Sequence, residues 1–290
     1  MKKRLFLFLF VLWIAAMVVG CSNGANIQVP AEGPSSSEQN PPPLLTQEQI
    51  LYKRAAALSQ RFGLDIQVPK QNDIAYSHYD ATALTDLSCF ASALDILEQT
   101  LAQYPEGFFR QLPYDNVEII RIELVGSLAV KDGIDIDPNS VTAFAQNTGK
   151  IHLIVFNAAT ISLPTLYHEF SHIIDAHLKW DSLNRENALY SEQTWLALQP
   201  EGFFFASSYT KIPTYLLSFL NSDFFISEYS LTFPTEDRAT LMEAAMNNFN
   251  LRFEVGSGRR KKMQYYADCI RDCFDTTGWP ETTLWEQVLK

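Results

Sequence analysis

Residues 168–172 read His-Glu-Phe-Ser-His: two imidazoles four positions apart, with a carboxylate beside the first. On an α-helix four residues advance about 400°, so His168 and His172 stand roughly 40° apart and about 6 Å along the axis. Two neutral imidazoles on one face can bind one zinc ion. Glu169 points about 100° away, where its carboxylate reaches a water on the metal rather than the metal itself. Two ligands plus a carboxylate base is the equipment of metal-assisted hydrolysis. As isolated side chains these histidines would be core or helix-surface residues. What distinguishes them is that two of only five histidines fall in the one arrangement with a mechanism.

A catalytic zinc takes three protein ligands, so a third is required. His177 lies nine residues from His168, about 180° around the helix. Metzincins extend the motif with Gly and His where this chain has Asp175 and Leu178. Glu192 stands at the separation from His172 that thermolysin-like enzymes use, but they place an Asp where Leu196 is found. Glu236 suits the role better. It begins a helical pattern whose other face is apolar through Leu241, Met242, Ala245 and Met246, which can hold the carboxylate rigidly. Asp175, the next turn after His172, has two readings: a carboxylate that orients a ligand imidazole from outside the metal, or an exposed acid near a helix end.

The stretch His168-Glu-Phe-Ser-His-Ile-Ile-Asp175 resembles the H-E-F-G-H-x-x-D motif of anthrax lethal-factor-like metallopeptidases, a group that includes the Pro-Pro endopeptidases. In that family a Tyr precedes the Glu ligand by seven residues, as Tyr229 precedes Glu236 here. The resemblance covers roughly residues 151–246. It implies a zincin-like domain with one Zn2+ on His168, His172 and Glu236, Glu169 as base, and Tyr229 as donor to the oxyanion. Ser171 replaces the usual Gly, and the 64 residues from His172 to Glu236 require an insertion near 195–225. The implied reaction is hydrolysis of a peptide bond. The implied partner is a protein or peptide substrate, which strand 151–157 beside the cleft could take up as an extra strand.

The elements that must position these groups are partly legible. Thr46 caps a helix over 46–62, with Ile50, Leu51, Ala55 and Leu58 at three-to-four spacing. The pattern predicts a second helix over 80–104, stopped by Pro105-Glu106-Gly107. Residues 116–129 read as one strand, and the apolar run 151–157 reads as a buried one. Ser162 caps and Pro164 opens the helix 162–179 that carries the histidines. The aromatic-rich 184–227 reads as short helices and loops. Helices follow at 235–250 and 260–274, with a short one opening at Trp279-Pro280. Strands early and helices late predict α+β. The expected domain, 46–290, divides into N-terminal helices 46–110, an active-site core 115–250 and C-terminal helices 260–290.

The N-terminus sets the expected location. Met1-Lys2-Lys3-Arg4 precedes an uncharged apolar run from Leu5 to Val19, which is the layout of a signal peptide over 1–20 and short for a spanning helix. Val18-Val19-Gly20-Cys21 resembles the lipobox of bacterial lipoproteins, which implies lipid on Cys21 and an extracytoplasmic, membrane-anchored protein in the cell envelope. Residues 21–45, rich in Ser, Pro, Gly and Asn, read as a disordered tether. The net charge is −11 and becomes −14 once Lys2, Lys3 and Arg4 are removed, which argues against nucleic acid as a partner. Cys89, Cys269 and Cys273 permit one disulfide between the first and either of the others in an oxidising compartment. Two other classes share these features: a peptide-binding lipoprotein that has the fold without the cutting, and a zinc hydrolase of cell-wall peptides. An intact Glu169 argues against the binder, which needs no base there.

Overall fold

Thr46 and Gln49 close a capping box at the start of α1 (Gln47–Phe62) in the computed structural model of the protein, which describes residues 44–131, 141–248 and 250–290. Leu51, Ala55 and Leu58 form the buried stripe of α1, as their spacing requires. The chain continues through β1 (Asp65–Gln67), β2 (Ile74–Ala75), β3 (Tyr79–Thr82), α2 (Leu87–Leu101) and the single turn α3 (Phe108–Gln111). Then come β4 (Ile119–Val125), β5 (Ser127–Val130), β6 (Ala143–Asn147), β7 (Ile151–Asn157) and the long α4 (Leu163–Asn184). After α5 (Glu192–Ala197) there are 3-10 segments at Thr214–Asn221 and Glu228–Leu231. Helices α6 (Pro234–Asn247) and α7 (Gly258–Cys273) and a 3-10 segment at Leu284–Leu289 complete the chain. The fold is mixed α+β, with two small sheets and several helices.

One sheet has the order β1-β4-β7-β6, with β1, β4 and β7 parallel and β6 antiparallel to β7. The other, β2-β3-β5, is antiparallel. Successive side chains of a strand face opposite ways, and β7 uses both faces. Ile154 and Phe156 join the main core with Leu166, Phe170 and Ile174 of α4, while Leu153 and Val155 pack with Tyr79 and Phe144. This two-sided burial is why β7 has no polar alternation.

Several expectations are corrected. The helix expected from residue 80 begins at Leu87, where the Asp86 carboxylate accepts from the Ser88 and Cys89 amides. Residues 79–82 alternate buried and exposed and pair with β5 instead. The single strand expected over 116–129 is two, divided at Gly126, where a Cβ would lie 2.5 Å from the Ala83 carbonyl oxygen. Only glycine allows that approach, and the chain crosses there from one sheet to the other. The run 151–157 is an inner strand, and the edge strand beside it is β6, which sequence reading did not identify. Helix α4 continues to Asn184, past the expected end at 179. The last helix starts at Leu284 rather than at Trp279-Pro280. Cys89, Cys269 and Cys273 are all free, on helices α2 and α7 that each pack on α4. The expected signal segment 1–20, Cys21, the tether as far as residue 43 and the loop 132–140 lie outside the described residues. Among the described residues no helix is long and apolar enough to cross a membrane.

Candidate metal centre

Helix α4 starts where the Ser162 hydroxyl accepts from the Thr165 amide and Pro164 sits in the first turn. It lays Leu166, Phe170, Ile173, Ile174 and Leu178 into the core. That fixes the opposite stripe, with His168 and His172, toward a cleft of about 730 Å³ between α4, β6 and the start of α6. Ser171, on the buried side, has its hydroxyl against Tyr266 Oη at 3.2 Å, the partner that a buried hydroxyl needs where a glycine would need none.

Glu236 reaches the histidines from α6. Its Oε2 lies 3.0 Å from His168 Nε2 and 3.3 Å from His172 Nε2, and the group could hold a metal ion. A tetrahedral ion with ligands at about 2.0–2.1 Å keeps those ligands about 3.3 Å apart, so the spacing of these donors suits such an ion. Burial disfavours charge on His168, but hydrogen bonds to Glu236 and Glu243 outweigh it and pull the imidazole up to about 10. Burial likewise opposes the Glu236 carboxylate, yet the two imidazoles hold it well below the usual carboxylate range. The trio strongly favours positive charge at its centre.

Glu169 is 7% exposed and lines the same cleft. Burial raises its pKa, the two histidines lower it, and the nearby carboxylates of Glu236 and Glu243 add to the rise. Tyr229 is more open; its ring centroid is 5.7 Å from that of His168 and it faces Tyr209 at 5.9 Å. Burial, with the charge of Glu236 nearby, keeps the Tyr229 hydroxyl protonated and able to donate.

Among the described residues, Asp175 makes no hydrogen bond to a ligand imidazole. Its carboxylate forms a buried ion pair with Arg238 at 2.6 Å and accepts from Tyr190 Oη at 3.0 Å. Glu192 belongs to the same cluster, 3.2 Å from Arg238 and away from the histidines. His177 is turned inward, its Nδ1 2.9 Å from the Leu112 carbonyl oxygen.

Beyond the three candidate ligands, the carboxylate that touches one of their imidazoles is Glu243, with Oε2 3.2 Å from His168 Nδ1. It stands two turns after Glu236 on the same face of α6, a seven-residue step that could have been read from the sequence. Tyr209 donates to Glu236 Oε1 at 3.1 Å from a loop, and no periodic signal marks it. A carboxylate on the far nitrogen fixes the tautomer that presents a lone pair at Nε2. Glu243→Ala is therefore expected to weaken metal affinity by about 10–100-fold, measured by competition with a chromogenic chelator. An unchanged affinity would leave Glu243 with no such role.

Compared with known proteins, the chain matches no family model, and neither a curated protein nor a solved structure gives a significant match.

Proposed function

We propose that this chain is a zinc-dependent endopeptidase with a zincin-like domain, lipid-anchored on Cys21 outside the cytoplasm of a bacterial cell. The observation that carries the proposal is the convergence of His168, His172 and Glu236 on one point of an open cleft, with the buried Glu169 carboxylate beside it. Two imidazoles and a carboxylate are donors that suit zinc. When bound, zinc supplies a Lewis acid and a water acidified to a pKa of about 7.

The chain's own residues would do the rest. Glu169 takes a proton from the attacking water and delivers it to the departing amine. Tyr229 donates a hydrogen bond to the oxygen on which negative charge develops, a contribution of about 3 kcal/mol for donors of this kind. The substrate would lie extended along β6, whose outer side has no paired strand among the described residues and whose residues line the cleft. Hydrogen bonds from that edge would hold the scissile bond over the three ligands.

Zinc content measured by elemental analysis tests the proposal. The domain from residue 45 onward should carry one zinc per chain, and both His168→Ala and Glu236→Ala should lose it. A domain that takes up no zinc even after refolding with the metal would instead favour the non-catalytic peptide-binding lipoprotein. Retention of zinc by Glu236→Ala would require another ligand.

A further inference from the structure

The cleft continues well beyond the three ligands. Lys179 follows His172 by seven residues and His168 by eleven, so it falls within about 20° of both on the surface of α4. It stands about 10 Å beyond His172 and about 16 Å beyond His168 along the axis. Across from it are Gln146 and Asn147 at the end of β6, and His152, paired with Asn147 from β7. His152 is 6% exposed, and its Nδ1 has no hydrogen-bond partner among the described residues. Burial, with a smaller contribution from His177, brings its pKa down to about 4 and keeps the ring neutral.

Charge is divided along this groove. Among the described residues that line it, Lys179 is the one lysine or arginine, and it is exposed. Glu169, Glu236 and Glu243 gather at the other end, and Asp175 is neutralised by Arg238. A peptide lying in the groove thus meets a cation, the Asn147 amide and an unpartnered imidazole at one end.

The topology also gives a direction. Helix α4 follows β7 and packs back along it, so the Lys179 end of the helix lies beside the beginning of β7, where His152 is found. A peptide antiparallel to β6 runs the same way as β7, from Lys179 toward the ligands. Its residues before the scissile bond then occupy the Lys179 end. An extended chain covers about 3.3 Å per residue, so 10–16 Å corresponds to roughly three to five residues.

We propose that the end of the cleft formed by Lys179, Asn147 and His152 is a specificity subsite for an acidic side chain three to five residues before the cleaved bond. The inference rests on the peptidase reading and adds a substrate class to it. Lys179 selects charge, while the Asn147 amide and His152 supply hydrogen bonds to the carboxylate.

The test is to incubate a mixed peptide library with the zinc-loaded protein and sequence the new termini. Asp and Glu should be enriched three to five positions before the cut. Lys179→Ala should reduce that enrichment by about two- to fivefold, the scale of an exposed ion pair. Lys179→Glu should replace it with a preference for Lys and Arg. Cleavage without a charge preference there, or an identical profile in Lys179→Glu, would overturn the subsite and leave the peptidase reading standing. Enrichment after the cut would mean that the peptide runs parallel to β6, as would a preference for a free C-terminal carboxylate, and either would overturn the assignment. If nothing is cut, the peptidase reading fails; the same library passed over immobilised protein then reports the charge preference by retention, and equal retention by wild type and Lys179→Glu overturns the subsite too.

Discussion

Glu169→Gln is expected to slow peptide hydrolysis by about 10²–10⁴-fold while leaving zinc content and peptide binding unchanged. The glutamine keeps the shape of the buried side chain but cannot accept a proton. Glu169 is absent from the convergent His168–His172–Glu236 group, so metal occupancy has no reason to change. Its position next to His168 on α4 places it in the cleft, and burial together with two neighbouring carboxylates lifts its pKa. A carboxylate held above its usual range is a stronger base for a water proton than a solvated one. The measurement pairs kcat on a cleaved peptide with zinc stoichiometry of the same preparation. Full activity in Glu169→Gln would assign the base elsewhere, and loss of zinc would make Glu169 a ligand.

The histidine pair and its helix were legible because helical periodicity is local: four-residue spacing puts two side chains on one face whatever surrounds them. The Ser162 cap and Pro164 marked the helix start for the same reason. Glu236 was reachable because it opens an amphipathic helix, although 64 residues separate it from His172. What stayed hidden depends on long-range pairing. β6 is five residues of unremarkable composition, Ala143-Phe-Ala-Gln-Asn147, and becomes the cleft wall only by pairing with β7. Residues 80–82 fell inside a helical pattern, yet the β3–β5 pairing won over that local preference. Asp175 looked like a partner for a ligand imidazole because nothing in the sequence shows that Arg238 arrives beside it.

The same blindness hid how α6 is held. Three consecutive charged residues at its start, Glu236, Asp237 and Arg238, are each at most 3% exposed and each face a different partner. Glu236 meets the histidines and Arg238 meets Asp175 of α4, while Asp237 meets Lys262 of α7, with both carboxylate oxygens 2.8 Å from Nζ. Burial pushes Asp237 up and Lys262 down, and each charge partly restores the other. Removing one member of such a pair strands the other in a medium that cannot solvate it.

Lys262→Met is therefore expected to destabilise the domain by about 3–5 kcal/mol near neutral pH, read as a lower urea midpoint. Methionine fills the volume, so the loss measures the stranded carboxylate rather than a cavity. The pH dependence carries the sign. Without Lys262, the folded-state pKa of Asp237 moves further above its unfolded value, so the folded protein binds the proton more tightly. The deficit should then be largest where Asp237 is ionised and the wild-type Lys262 still holds its proton, and shrink as the pH falls and Asp237 protonates. Adding Asp237→Asn should recover most of the loss, because the amide is neutral and still lies beside Gln199. Since Asp237 adjoins Glu236, zinc affinity should fall with stability in Lys262→Met and return in the double variant. A double variant no more stable than Lys262→Met would mean that the Lys262 ammonium over the rings of Phe225 and Trp195, rather than its pair with Asp237, holds α6 in place.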